Sequence, residues 1–163
     1  MRMMILGIAL VAASLPALAD PTSDGRAVSE AFQKAVAAGD VDAVMALYRD
    51  DARVIWPGQG EEAKGKAAIA ELARKLIAAT KGAELVLESQ ESLPLGDGFI
   101  ANVGHWKQSF TTPGGTRQSV EVRTSEVLQK TDGKWLYLID HASVGAPPPR
   151  APARRGGRRA PKH

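Results

Sequence analysis

This sequence of 163 residues has no cysteine, which excludes disulfide bonds and thiolate-bound metal ions. It also has no phosphate-binding loop, no nucleophilic serine elbow and no zinc motif, and its two internal histidines lack acidic residues at ligand spacing. We therefore expect no cofactor and no metal. Length and composition are those of one globular domain, whose stability must come from a hydrophobic core.

The first residues follow the pattern of a secretory signal peptide. Arg2 supplies a positive charge, residues 3–15 are apolar, and residues 17–19 read Ala-Leu-Ala, a small-x-small cleavage site. The apolar run is shorter than the roughly 18 residues that a membrane-spanning helix requires, which disfavours a membrane anchor. We predict that residues 1–19 are a signal peptide and that the mature protein is periplasmic or secreted.

The positive charge of the chain is concentrated at its C-terminal end. Residues 20–149 hold 14 Lys and Arg against 18 Asp and Glu, a net charge of −4. Residues 146–163 are rich in Pro, Gly, Ala and Arg, which predicts a disordered tail. The tail is either simply solvated or contacts an anionic surface, and without aromatic residues it should not stack on bases, so specific nucleic-acid binding is not expected. Its arginines are Arg150, Arg154, Arg155, Arg158 and Arg159.

Residues 20–145 should form one domain of three helices and an antiparallel sheet. Apolar spacing predicts helices from Ser23 or Asp24 to about residue 38, from Asp40 for a short stretch, and over 65–80. A strand over 53–56 and a polar loop over 59–64 separate the last two helices. From residue 84 the apolar period changes to two, and strands are predicted near 85, over 99–110, over 117–130 and over 134–143.

Two blocks of sequence resemble the nuclear transport factor 2-like superfamily, and specifically its SnoaL-like members of unassigned function. The blocks are GDVDAVMALYRDDARVIWPG, followed by GKAAIAEL, and TSEVLQKTDGKWLYLIDHAS. The resemblance covers about residues 27–143 and implies an α+β, cone-shaped fold, with a curved antiparallel sheet packed on three N-terminal helices around a pocket. Because this fold hosts isomerases, dehydratases, hydrolases and non-catalytic pockets, it assigns no reaction.

The ketosteroid isomerases of this superfamily are similar over the first block. Trp56 stands at the position of their general-base aspartate, and Phe32 stands at the position of their oxyanion-hole tyrosine. Tryptophan has no base and phenylalanine has no hydroxyl, so isomerase chemistry of that design should be absent. We expect an aromatic, apolar pocket lining at these positions.

Strand pairing predicts the rest of the pocket. A two-residue turn at residues 132–133 places Leu128 opposite Tyr137, Glu126 opposite Ile139, and Thr124 opposite His141. His141 would then be a general base whose tautomer Glu126 fixes, or a core histidine that only closes the structure. The ligand-binding candidates are Phe32, Trp56, Trp106 and Tyr137.

Strict alternation places Asp140 on the opposite face of the sheet, together with His105 and Arg123. This face would be solvated or would pair with a second copy, since related folds often dimerise through it. A register slip of one residue would exchange the two faces, and Arg123 would then line the pocket as an anion clamp.

Three functions are compatible with these patterns. The first is an exported domain that binds a small, largely apolar molecule in an internal pocket, without established catalysis. The second is a lyase, isomerase or hydrolase that uses His141 as general base. The third is a dimeric interaction module with a polybasic tail.

Overall fold

The computed structural model describes residues 20–57, 62–79, 83–112 and 114–145. The helices are α1 (Pro21–Ala38), α2 (Val41–Met45) and α3 (Gly65–Ala79), and the strands are β1 (Tyr48–Ile55), β2 (Glu62–Lys64), β3 (Glu84–Gly96), β4 (Phe99–Thr111), β5 (Arg117–Thr131) and β6 (Lys134–Val144). The predicted signal peptide and basic tail lie outside these ranges. Within them, no helix has the length and apolar character to cross a membrane.

The strands form one six-stranded sheet in the order β2-β1-β6-β5-β4-β3. The α+β class and the three helices are confirmed. The sheet is mixed rather than wholly antiparallel, because β1 pairs with β6 in parallel. Strand β2, predicted as loop, pairs antiparallel with β1, and β1 begins at Tyr48 rather than after the acidic pair at residues 50–51.

Side-chain caps and a left-handed glycine position the first two helices. The Asp20 side chain accepts a hydrogen bond from the Thr22 amide at 3.0 Å, so α1 begins a few residues before the predicted cap. Gly39 ends α1 with φ +70°, a conformation that glycine adopts without steric cost. Asp40 then caps α2 by accepting from the Ala43 amide at 2.9 Å, as its position in the sequence predicts.

The helices pack on one face of the sheet, which we call the inner face. Helix α1 is fixed by the Leu87 amide, which donates to Gln33 Oε1 at 3.0 Å, and by Trp135 Nε1, which donates to Asp24 Oδ2 at 2.9 Å. Helix α3 contacts β1 and buries Ile69 and Ala73. The buried inner-face residues of β4, β5 and β6 are Ile100, Asn102, Trp106, Val122, Thr124, Glu126, Leu128, Tyr137, Asp140 and Ala142.

A β-bulge at Leu138 decides which β6 side chains point inward. Tyr137 lies opposite Leu128 as predicted, but Ile139 lies opposite Val127, so Leu138 is an extra residue in β6. Beyond the bulge, Glu126 therefore faces Asp140, and Thr124 faces Ala142 rather than His141. The predicted pairing of β5 with β6 is wrong by one residue from this point onward.

The bulge exchanges the faces of Asp140 and His141. Asp140 is 5% exposed and points inward, whereas His141 is exposed opposite Ser125. Arg123 is exposed and lies opposite His105, so the alternative in which Arg123 lines the pocket is wrong. We call the opposite side of the sheet the outer face; its residues include Val103, His105, Arg123, Ser125, Ile139 and His141.

Candidate functional site

A cavity of about 400 Å³ lies between the inner face and helices α1 and α3. Its wall includes all four predicted ligand-binding side chains and Glu126. Leu72 and Leu76 contribute the wall from α3. The sequence therefore predicted the aromatic part of the cavity lining, whereas ligand binding by these residues stays a prediction. The four side chains are Phe32, Trp56, Trp106 and Tyr137.

The aromatic residues of the wall form one cluster around Phe32. Its ring centroid lies 5.8 Å from Trp56, 6.2 Å from Trp106 and 6.3 Å from Tyr137, each in an edge-to-face arrangement. Tyr48 stacks on Tyr137 with centroids 4.9 Å apart. Five of the eight aromatic residues of the chain thus lie together. Such contacts add directional stability to apolar burial and hold the cavity wall in place.

Asp140 receives two hydrogen bonds on a single carboxylate oxygen. Tyr48 Oη donates to Asp140 Oδ2 at 2.6 Å, and Trp56 Nε1 donates to the same oxygen at 2.7 Å. Burial raises the pKa of Asp140, while these two donors and the nearby His141 oppose that rise. Trp56 therefore acts as a hydrogen-bond donor to a buried carboxylate.

Glu126 lies directly opposite Asp140 on the neighbouring strand and is 4% exposed. Asn102 Nδ2 donates to Glu126 Oε2 at 3.2 Å. Burial, and secondly the charge of Asp140, raise the pKa of Glu126 to about 8, against hydrogen bonds from Thr124 and Asn102 that lower it. Burial thus favours the neutral form of Glu126 at neutral pH, whereas the donors Tyr48 and Trp56 favour the ionised form of Asp140.

A second layer of polar groups fixes the Asn102 amide. Asn102 Nδ2 also donates to the Gly25 carbonyl at 3.2 Å, and Ser92 Oγ donates to Asn102 Oδ1 at 2.7 Å. A Cβ on Gly25 would lie 2.5 Å from Asn102 Oδ1 and 2.6 Å from Ser92 Oγ, which no real structure tolerates. The close packing of α1 on this network therefore requires glycine at residue 25.

Neither inner carboxyl has a cationic partner in the described part of the chain. The ion pairs found there all lie at the surface and include neither Glu126 nor Asp140. Lys75 is the cationic residue of the described cavity wall, and it is exposed. The described ranges also contain no group of three His, Asp or Glu residues placed to hold a metal ion.

His141 is the predicted site residue that the fold does not bring to the cavity. The prediction that it lines the pocket beside Glu126 is wrong, because the bulge at Leu138 turns it to the outer face. Three residues of the site were missed from the sequence, namely Tyr48, Asn102 and Asp140. Of these, Asn102 had a usable signal, because a polar residue at an apolar inward position of a strand often marks a buried network.

Residues 26–147 match the model of the SnoaL-like domain family. The chain belongs to this family, and its α+β fold is the nuclear transport factor 2-like, or cystatin-like, fold of its structural neighbours. Among proteins with curated functions, no relative matches this sequence.

Solved structures with the same fold include proteins from several bacteria. The chain is similar to a putative calcium/calmodulin dependent protein kinase II association domain from Xanthomonas campestris, with 24% identity and a TM-score of 0.69 over 85% of this chain and 95% of that one. It is also similar to a ketosteroid isomerase-like protein from Erwinia carotovora atroseptica, with 20% identity and a TM-score of 0.66 over 80% and 100%. At these identities the likeness establishes the fold alone.

Proposed function

We propose that this domain binds a small, largely apolar molecule in its internal cavity. The observation that supports the proposal is a cavity of about 400 Å³ whose wall combines an aromatic cluster with one buried carboxyl pair. Ligand sites typically pair an apolar wall with a few polar groups that orient the ligand. Trp56, Trp106, Phe32 and Tyr137 would contact the apolar part of the ligand, and the carboxyl pair would bind its polar end.

The position of His141 argues against the alternative in which it acts as a catalytic general base. His141 and the cavity lie on opposite sides of the sheet, so the imidazole cannot reach a molecule bound against Trp56. A general base must lie within hydrogen-bonding distance of the proton that it removes. Any acid–base chemistry in this cavity would have to use Glu126 and Asp140.

Binding can be tested with the neutral fluorescent probe N-phenyl-1-naphthylamine and two variants on the same strand. Ala142 lines the cavity, so Ala142→Phe should fill it, whereas Ile139→Phe adds the same ring on the outer face. We expect the unmodified protein and Ile139→Phe to bind the probe with dissociation constants on the order of 1–100 μM. Ala142→Phe should weaken binding at least about tenfold. Equal binding by Ala142→Phe would contradict the proposal.

A second candidate function, dimerisation through the outer face, is favoured by a row of apolar residues that crosses four strands. Leu93, Ala101, Val127 and Ile139 lie at consecutive register positions, and Ile139 is 44% exposed. Exposed residues of both charge signs lie further along the same strands, which suits pairing of two identical faces. These residues are Glu91, Lys107, Glu121 and Arg123. We propose a second copy of this chain as the occupant.

The oligomeric state tests this candidate. We expect light scattering coupled to size exclusion to give the mass of a dimer, and Ile139→Lys to give the mass of a monomer, because a charge would be buried without a partner. Glu88→Lys on the exposed side of β3, outside the row, is the control and should leave the dimer intact. A monomeric unmodified protein at micromolar concentration would exclude this function.

The N-terminal pattern supports a further proposal, that the protein is exported to the periplasm or secreted after cleavage at residue 19. The Arg-rich composition of residues 150–159 supports contact between the tail and an anionic surface. Both segments lie outside the described residues, so these proposals depend on sequence alone.

A further inference from the structure

We propose that the ligand of this cavity is a small organic cation, an amine with an apolar body, whose ammonium group binds Asp140 and whose body contacts the aromatic cluster. This inference rests on the proposed binding function and specifies the chemical class of the ligand.

The carboxyl pair of the cavity lacks a cationic partner among the described residues. Asp140 and Glu126 face each other on adjacent strands, and no ion pair in the described ranges includes either of them. Burying an ionised carboxylate without a cation is costly, and a second carboxylate beside it adds repulsion. A monovalent cation in the cavity would neutralise the charge that the protein itself leaves unpaired.

One carboxylate oxygen of Asp140 has no hydrogen-bond donor among the described residues. Both donors to Asp140, from Tyr48 and Trp56, bind Oδ2, and no described residue donates to Oδ1. In the described ranges, the side-chain polar atom that is both fully buried and without a hydrogen-bond partner is Gln90 Oε1. Asp140 Oδ1 also has no partner among these residues, so it is not fully buried. Asp140 lines the cavity, so Oδ1 is available to a donor from a bound molecule.

The cavity wall beside the carboxyl pair is aromatic. Trp56, Trp106 and Tyr137 all line the cavity within the cluster centred on Phe32. Aromatic rings attract organic cations through their quadrupoles, and the attraction strengthens where water is excluded. An ammonium group held by a carboxylate and surrounded by such rings is a common arrangement for cation recognition.

A neutral ligand would use the same cavity differently and predicts the opposite response to pH. Its carbonyl or hydroxyl oxygen would accept a hydrogen bond from protonated Glu126, so its affinity would fall as Glu126 ionises. An amine that stays protonated would gain affinity over the same interval, because the site becomes more negative. The titratable groups that interact with Glu126 are Asp140 and Tyr137 from β6 and Tyr48 from β1, and the charged residue that α3 adds to the cavity wall is the exposed Lys75. In the described ranges, α1 and β4 contribute only Ser29, Phe32, Asn102 and other uncharged side chains to this region.

The experiment compares a matched pair of molecules that differ in charge. The amine 2-phenylethylamine and its alcohol counterpart 2-phenylethanol are titrated as competitors of N-phenyl-1-naphthylamine, from about pH 6.5 to about pH 9. We expect the amine to bind at least about tenfold more tightly than the alcohol and to gain up to about tenfold in affinity over this interval, as Glu126 loses its proton. Alcohol binding that weakens with pH, and exceeds amine binding, would overturn the inference.

Two isosteric variants assign the effect to the carboxyl pair. Asp140→Asn should weaken amine binding about 10- to 100-fold and leave the alcohol within about threefold, since a charge-assisted hydrogen bond is lost. Glu126→Gln should abolish the pH dependence of amine binding while the amine still binds.

If Asp140→Asn no longer binds the fluorescent probe, the choice of a cation is tested by comparing the pH dependence of amine binding in the unmodified protein and in Glu126→Gln. Failure of the unmodified protein to bind the probe would overturn the binding function itself, whereas probe binding without preference for the amine would overturn only the choice of a cation.

Discussion

The two faces of the sheet accommodate their acidic residues in opposite ways. On the exposed side, Glu62 lies 3.2 Å from Arg53 and 3.1 Å from Lys64, and a hydrogen bond from Lys64 lowers its pKa. On the inner face, Glu126 has no cation among the described residues, and burial raises its pKa to about 8. Acids in contact with water are stabilised as anions by basic neighbours, whereas burial favours the neutral form of Glu126 and neutral donors bind the inner pair.

This difference shows that the inner polar residues are a poor means of stabilising the fold. A buried acid with a raised pKa makes the folded state less stable as the pH rises, and an apolar residue of similar size would avoid that cost. The elaborate support of the pair by Tyr48, Trp56 and Asn102 therefore favours a role in binding over a structural role.

The largest expected difference between inner and exposed positions concerns apolar truncation. Ile100 is fully buried opposite Leu128, whereas Leu95 at the end of β3 is 59% exposed. Ile100→Ala should lower the free energy of unfolding by about 2–5 kcal/mol, because it removes buried methyl groups and leaves a cavity. Leu95→Ala should change it by less than about 0.5 kcal/mol. Urea unfolding of both variants measures the difference, and equal losses would show that the face assignment is wrong.

The second effect is the pH dependence of stability. The pKa of Glu126 rises from its ordinary value of 4.5 to about 8 on folding, so the folded state binds more protons and stability falls as the pH rises through this interval. Glu126→Gln should remove a loss on the order of a few kcal/mol, so that the variant is the more stable protein at about pH 9 but not at about pH 5. The raised pKa of Asp140 has the same sign and should leave a residual slope.

The matched control for this experiment is Glu121→Gln on the exposed side of the same strand. It should leave the dependence of the unfolding free energy on pH unchanged. A parallel shift of both variants would mean that general charge, and not the buried pair, determines the pH response.

The smallest effect is expected for the exposed ion pair of β1 and β2. Arg53 Nη1 lies 3.2 Å from Glu62 Oε1, and the Arg53 side chain is 60% exposed. Arg53→Ala should lower stability by less than about 1 kcal/mol, and the loss should shrink further in about 1 M salt. A larger, salt-independent loss would indicate that β2 depends on this pair for its attachment to the sheet.

Local signals in the sequence were sufficient for most of the fold. Asp40 and Gly39 mark the boundary between α1 and α2 because a capping side chain and a left-handed backbone are local requirements. The turn at Asp132 and Gly133 has φ values of +49° and +78°, which this pair of residue types readily adopts, and it set the start of the β5–β6 register correctly. The parallel pairing of β1 with β6 joins residues far apart in the chain, and no local signal reports it.

The candidate site was predicted only up to the bulge. Residues 135–139 read Trp-Leu-Tyr-Leu-Ile, so apolar side chains occupy both faces and period-two patterning cannot reveal an inserted residue. The aromatic wall was predicted because the family resemblance placed Phe32 and Trp56, while Trp106 lies on another strand and Tyr137 precedes the bulge. Asp140 and His141 follow it, and their roles were therefore exchanged.

The bulge at Leu138 also has a consequence for comparing members of this family by alignment. Two relatives with the same Asp-His pair at the end of β6 would present different chemistry to their cavities if one of them lacked the inserted residue. One would direct a carboxylate inward and the other an imidazole, with no substitution at either position. The insertion or deletion of one residue in a strand can thus replace a carboxylate in the pocket with an imidazole. Assigning the same site residue to two aligned members of this family therefore requires the same strand register as well as the same residue type.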